Sequence, residues 1–107
     1  MTPPLVAIAT LHVREGMQAE ARAALAEAQA STHQEAGCRL YALHVDKGDP
    51  RVLVMIEVWD SEADLDSHIA SPHVQALIAK SEGLFEGPPD LQMLTALPSG
   101  DSGKGAL

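Results

Sequence analysis

Apolar residues alternate almost without interruption along LVAIATLHV, residues 5–13. Both faces, Leu5/Ala7/Ala9/Leu11/Val13 and Val6/Ile8/Thr10/His12, are largely apolar, which predicts a strand covered on both sides. Glu15-Gly16 breaks the alternation. Between residues 17 and 35 the period becomes helical, with Met17, Ala21, Leu25, Ala28 and Thr32 on one face of a segment rich in alanine, glutamate and glutamine. Gly37 fits the left-handed C′ position that ends such a helix. Strand character returns at 39–46 (RLYALHVD) and 52–59 (VLVMIEVW), on either side of the turn Lys47-Gly48-Asp49-Pro50, so these two segments are expected to pair as an antiparallel hairpin. The later strand presents Val52/Val54/Ile56/Val58 on one face and Leu53/Met55/Glu57/Trp59 on the other, with Glu57 the only charge.

Ser61 with Asp64 three residues later forms a capping-box pattern, predicting a short helix from 62 to about Ala70. Ser71-Pro72 restarts it as a second segment, 72–81, set at an angle: serine suits an N-cap and proline the first helical position. Residues 83–89 read as loop and 91–97 (LQMLTAL) as a closing strand. The domain is therefore placed at 1–97, with 98–107 (PSGDSGKGAL) a flexible tail too poor in apolar residues to order itself. The order β-α-β-β-α-β is the α+β ferredoxin-like split βαβ pattern, a four-stranded antiparallel sheet with its helices on one face. The other face, expected to contain residues such as Leu53, Met55 and Trp59, would be a large exposed apolar patch. A homodimer closed as a dimeric α+β barrel would bury it.

With 107 residues the chain suits one small domain, whose limited core makes a shared interface useful. Fifteen acidic against seven basic residues give a net charge of -8, which repels nucleic acid phosphates and anionic lipid. No nucleic acid or membrane partner is expected. The single cysteine, Cys38, has no internal disulfide partner, which fits a cytoplasmic location. The N-terminal stretch lacks a basic region and meets His12 and Arg14 after a short apolar run, so neither a signal peptide nor a membrane span is expected.

Five histidines, His12, His33, His44, His68 and His73, raise the question of a metal. His68 and His73 stand five residues apart across the Ser71-Pro72 restart, not four apart on one helix, and no carboxylate pair obviously joins them, so no metal site is expected. On a helix starting at 62, His68 shares a face with Leu65 and Ile69 and turns toward the sheet. It is either a half-buried imidazole bonded to backbone or a catalytic group. The helix C-terminus favours its charged form, whereas His73, at a helix start, is favoured neutral. Tyr41 and Trp59 fill core or interface, or face a ligand, and a buried Tyr41 phenol needs a partner. Glu57 is either half of an ion pair, with Arg51 or across a dimer, or a general base of raised pKa. The face of His44 is open, and Cys38 reads as packing rather than nucleophile.

VAIATLHVREG, EAGCRLYALHVD and VLVMIEVWDSEADLDSHIASPHV together resemble the antibiotic biosynthesis monooxygenase family, in particular its small quinol monooxygenase-like branch, over residues 5–97. The run from Glu57 through Trp59 and His68 to Ser71-Pro72-His73 carries most of the likeness. The resemblance implies a dimer that oxidises a hydroquinone or polyphenolic aromatic with O2 and without cofactor, the substrate supplying the electrons. It implies His68, Tyr41 and Trp59 as catalytic residues and His44, His73 and Glu57 as substrate-binding ones. Haem-degrading relatives use an asparagine, a tryptophan and a haem-ligating histidine; Ala9, His68 and Ile78 stand there, so haem degradation is not expected. An isomerase of a small phosphorylated sugar would need cations, and Arg39, Arg51 and Lys80 are the only ones near the proposed pocket elements. A non-catalytic ligand-binding dimer is the remaining alternative.

Overall fold

β1 (Leu5–His12), β2 (Cys38–Val45), β3 (Val52–Trp59) and β4 (Asp90–Thr95) pair antiparallel in the order β2-β3-β1-β4. The computed structural model describes residues 3–107. Helices α1 (Gln18–Thr32), α2 (Glu62–Ile69) and α3 (Pro72–Leu84) complete the α+β ferredoxin-like fold that the periodicity predicts. No described helix is long and apolar enough to cross a membrane. Residues 98–107 contain turns, including one closed on Asp101, but no helix or strand.

Register decides which side chains meet the helices. Ala7, Ala9 and Leu11 of β1 lie beside Glu57, Met55 and Leu53 of β3, and Tyr41 lies beside Glu57 from β2. These residues, with Trp59, Val13 and the α1 residues Ala21 and Leu25, are buried. The expectation that Leu53, Met55 and Trp59 form the uncovered face is thus reversed: they point into the core. On the face without a helix, Ile8, Val54 and Ile56 are partly exposed, with Leu40 from β2 and Leu94 from β4 at 37% and 40%, while Val6 and its neighbour Val58 are already buried. Both alternations of β3 are apolar, so the pattern alone does not tell the two faces apart.

The chain punctuation differs from expectation in two places. Gly16, at φ +81, makes the turn into α1, but Gly37 is not left-handed and does not end the helix. α1 stops at Thr32 because the backbone tightens: Gln34 N–H bonds to Ser31 O, Glu35 N–H to Thr32 O, and Cys38 N–H to Glu35 O. Gly37 is needed for a close approach, since a Cβ there would lie 2.3 Å from Asp64 Cγ. The second difference is α3, which continues through Leu84 rather than ending at 81. Leu84 and Phe85 then fill the core beside Leu11, Val13 and Leu25, and Phe85 bridges to Val13.

Two serines start the last two helices by different means. Ser61 Oγ accepts from Asp64 N–H at 3.2 Å and donates to the Asp64 carboxylate, so the predicted cap forms. Ser71 stands at the start of α3 with Pro72 in the first turn, yet its hydroxyl makes no cap bond. It donates instead to His68 O at the end of α2. That bond fixes the bend between the helices and so the position of His68 relative to His73.

Candidate functional site

Between the covered face of the sheet and helices α2 and α3 lies a cavity of about 400 Å³, within the range of about 300–1,000 Å³ usual for small-ligand sites. Its wall is mostly apolar: Ala9, Leu11, Met55, Leu65, Val74 and Phe85 contribute, and Ile69, Ile78 and Leu91 stand at exposed positions around it. The polar side chains that reach it are Tyr41, Glu57, His68 and Ser81.

His68 is 4% exposed, and its partner is a side chain, not backbone. Nδ1 lies 2.7 Å from Glu35 Oε2, and the same oxygen lies 2.8 Å from His73 Nε2. A carboxylate only accepts, so His68 Nδ1 carries the proton of this bond and a neutral ring keeps its lone pair on Nε2. Nε2 has no hydrogen-bond partner, and no buried side-chain nitrogen or oxygen among the described residues is left unpartnered, so Nε2 is the edge open to the cavity. Burial pulls the His68 pKa below its ordinary value, against the opposing pull of Glu35, and His73 lowers it further. This corrects the expectation from the helix C-terminus: desolvation outweighs the end charge of a helix of eight residues.

Aromatic rings fix the imidazole on its other sides. Trp59 lies against it at a centroid distance of 4.6 Å, and Tyr41 meets it edge-on at 5.1 Å. Trp59 itself is wholly buried and does not line the cavity. Its indole N–H donates to Glu57 Oε1 at 2.9 Å, so the one charge on β3 is met by its neighbour two residues on. The alternative of an Arg51 partner is overturned, because Arg51 pairs with Glu86. Burial raises the Glu57 pKa to about 7; the Trp59 bond lowers it and the charge of Glu35 raises it. Burial also pushes the Tyr41 phenol well up, with Glu57 and Glu35 adding to the effect. Its hydroxyl has no hydrogen-bond partner among the described residues and faces the cavity as a donor.

The remaining candidates separate. His73, at the start of α3, joins Glu35 and Ser71 but lies outside the main cavity wall. His44 projects from the opposite face of the sheet, where Nδ1 lies 3.1 Å from Ala42 O, so it does not meet the others. The Cys38 thiol is held protonated by burial first, then by Glu35 and Glu57. Glu35 carries no signal in the sequence: it sits in an irregular loop, 33 residues before His68. The absence of a joining carboxylate, one reason for expecting no metal ligands, is therefore corrected by the fold.

A ferredoxin-like α+β domain with an apolar cavity and a carboxylate-tethered histidine is the class that fold and site define. The sequence profile described as antibiotic biosynthesis monooxygenase matches residues 4–80, and the chain belongs to that family. The structure is similar to that of PA3566 from Pseudomonas aeruginosa, with a TM-score of 0.85 and 31% identity over 91% of this chain and 97% of that one. It is also similar to Rv0793 from Mycobacterium tuberculosis, with a TM-score of 0.83 and 30% identity over 92% and 99%. A Synechocystis relative, the uncharacterized protein sll1783, is 27% identical over 62 residues, 58% of this chain. The match takes in only 42% of that relative's length.

Glu57 provides a test of the site's electrostatics. Its raised pKa means the folded state favours the neutral acid, so the stability gained is complete below about pH 4.5 and lost as pH rises through about 7. Glu57→Gln keeps an acceptor for Trp59 and removes the ionisation. In denaturant titrations the variant should gain on the wild type between pH 5 and pH 8, by at most about 3 kcal/mol at about 1.4 kcal/mol per pKa unit. A gap that does not change with pH would show that Glu57 ionises as an ordinary carboxylate.

Proposed function

We propose that the chain is a monooxygenase acting on a hydroquinol-type aromatic with molecular oxygen, without a cofactor, and that His68 takes the phenolic proton. The observation that carries this reading is the free Nε2 of a neutral, buried His68 at the wall of an apolar cavity, with Nδ1 tied to Glu35. A flat aromatic suits the apolar walls. Proton transfer to Nε2 leaves an imidazolium beside the Glu35 carboxylate, which stabilises the charge as it develops. The Tyr41 hydroxyl can donate to the phenolate oxygen, and Glu57, near half-protonated at neutral pH, is suited to a second proton exchange. Trp59 acts as a positioning residue that holds the His68 ring.

The phenolate is the electron source. It passes one electron to O2, the two radicals combine at a ring carbon, and loss of water leaves a hydroxyquinone. One oxygen atom enters the ring and the other leaves as water. Membership of a family named for monooxygenases supports oxygen chemistry. Phosphosugar isomerisation has less support: Arg39 pairs with Asp60, Arg51 with Glu86 and Lys80 with Glu27, and none of the three cations lines the cavity.

Two tests follow. Oxygen uptake with a naphthohydroquinone, corrected for autoxidation, should be enzyme-dependent; His68→Phe should lower it by about 10²–10⁴-fold, the usual contribution of a general base, and Tyr41→Phe by about tenfold, one hydrogen bond. Uptake no faster than autoxidation, or unchanged in His68→Phe, would overturn the reading. The second concerns assembly: we propose that two copies pair through the face bearing Ile8, Val54 and Ile56. Sedimentation should give twice the monomer mass, and Ile56→Asp at the centre of that face should give monomers; a monomeric wild type would contradict the pairing.

A further inference from the structure

Three potential ligands for a metal converge beside the cavity from three separate parts of the fold. Glu35 comes from the loop after α1, His68 from the last turn of α2 and His73 from the first turn of α3. One ligand atom from each lies within 4.8 Å of both others. Glu35 Oε2 is 2.7 Å from His68 Nδ1 and 2.8 Å from His73 Nε2. We propose that Glu35, His68 and His73 form a binding site for a divalent transition cation of the zinc type.

The chemistry of the donors favours such an ion. Two borderline imidazoles beside one carboxylate suit zinc, cobalt or nickel better than calcium or magnesium, which take all-oxygen shells. Zinc bonds of about 2.0–2.2 Å in a tetrahedron place donor atoms about 3.3 Å apart, so the two Glu35 contacts need to open by about 0.5 Å, while the two histidine nitrogens, within 4.8 Å of each other, settle to the same spacing. Glu35 pairs with no lysine or arginine among the described residues, so no fixed cation competes for it. A net charge of -8 also favours a cation.

Access is from the protein surface rather than through the cavity. The side chains of Glu35 and His73 are 18% and 21% exposed, against 5% for His68, so a cation would reach the cluster from the side of Glu35 and His73. Ser71 Oγ, which donates to His68 O, lies 3.1 Å from His73 Nε2 and keeps its lone pairs at the edge of the site.

Loading would change His68. A cation on Nδ1 displaces the proton there, and a neutral ring must then carry it on Nε2, facing the cavity. The consequence for turnover rests on the monooxygenase reading: a ring with N–H at Nε2 is no longer a base, and oxygen uptake falls as the cation binds. Binding itself is independent of that reading.

The test uses the full chain after chelator treatment, titrated with Co2+ as a spectroscopic probe and with Zn2+ by calorimetry. One cation per chain should bind, Co2+ should show the visible bands of a four-coordinate ion, and Zn2+ should raise Tm. His73→Ala and Glu35→Gln should each weaken binding at least tenfold and abolish the rise in Tm, while His12→Ala, at an exposed histidine beside Asp90, should leave both unchanged. If the two ligand variants bind as tightly as wild type, or if wild type shows no saturable binding up to millimolar cation, the site does not exist. Cation binding without any hydroquinol oxidation would uphold the site and remove only its link to turnover.

Discussion

The hydrogen bond between Glu35 and His68 sets the state of the whole cavity wall. A buried imidazole without a partner would be costly, and one bonded to a backbone carbonyl would gain less charge stabilisation on taking a proton than one bonded to a carboxylate. The carboxylate fixes the tautomer, orients the ring and offsets the charge when the ring becomes cationic. Desolvation still holds the pKa below its ordinary value, so the resting ring is neutral and ready to accept. The architecture that secures this bond is local. The backbone tightening after Thr32, the close approach of Gly37 to Asp64 and the Ser71 bond to His68 O together bring a loop residue and two helix ends to one point.

The sheet supplies the other half of the site. Leu53, Met55, Glu57 and Trp59 all face the helices, and the cost of burying Glu57 is reduced by the Trp59 indole and by a raised pKa that lets it become neutral. Trp59 therefore serves two groups at once, bonding Glu57 with its N–H and packing its ring against His68. Removing it would loosen both, although its own ring does not line the cavity. Tyr41, held edge-on to His68, keeps its hydroxyl for whatever occupies the space. Tyr41, Glu57 and His68 thus concentrate polar groups in an otherwise largely apolar wall.

Much of the fold was legible in the chain, because the change from alternating to helical periodicity and back marks the elements, and because Ser61 and Ser71-Pro72 mark helix starts. His68 was placed facing the sheet by its spacing from Leu65. The sheet faces were not legible, since both alternations of β1 and β3 are apolar and only the helix packing distinguishes them. Glu35 was not legible either: its role depends on a loop geometry that no local pattern encodes. Without it, the spacing of His68 and His73 offers no shared partner. The charge of His68 is not legible either, because a helix end is visible in sequence and the depth of burial is not. His44 shows the converse, a residue whose type suited the site but whose strand position sends it to the opposite face.

The central claim is that His68 rests as a neutral ring protonated at Nδ1 and open at Nε2. Two-bond 1H–15N correlation NMR of the 15N-labelled, metal-free protein at pH 7 reads this directly. The account predicts a pyrrole-type Nδ1 and a pyridine-type Nε2 for His68. A cationic ring, or a neutral ring protonated at Nε2, would contradict it.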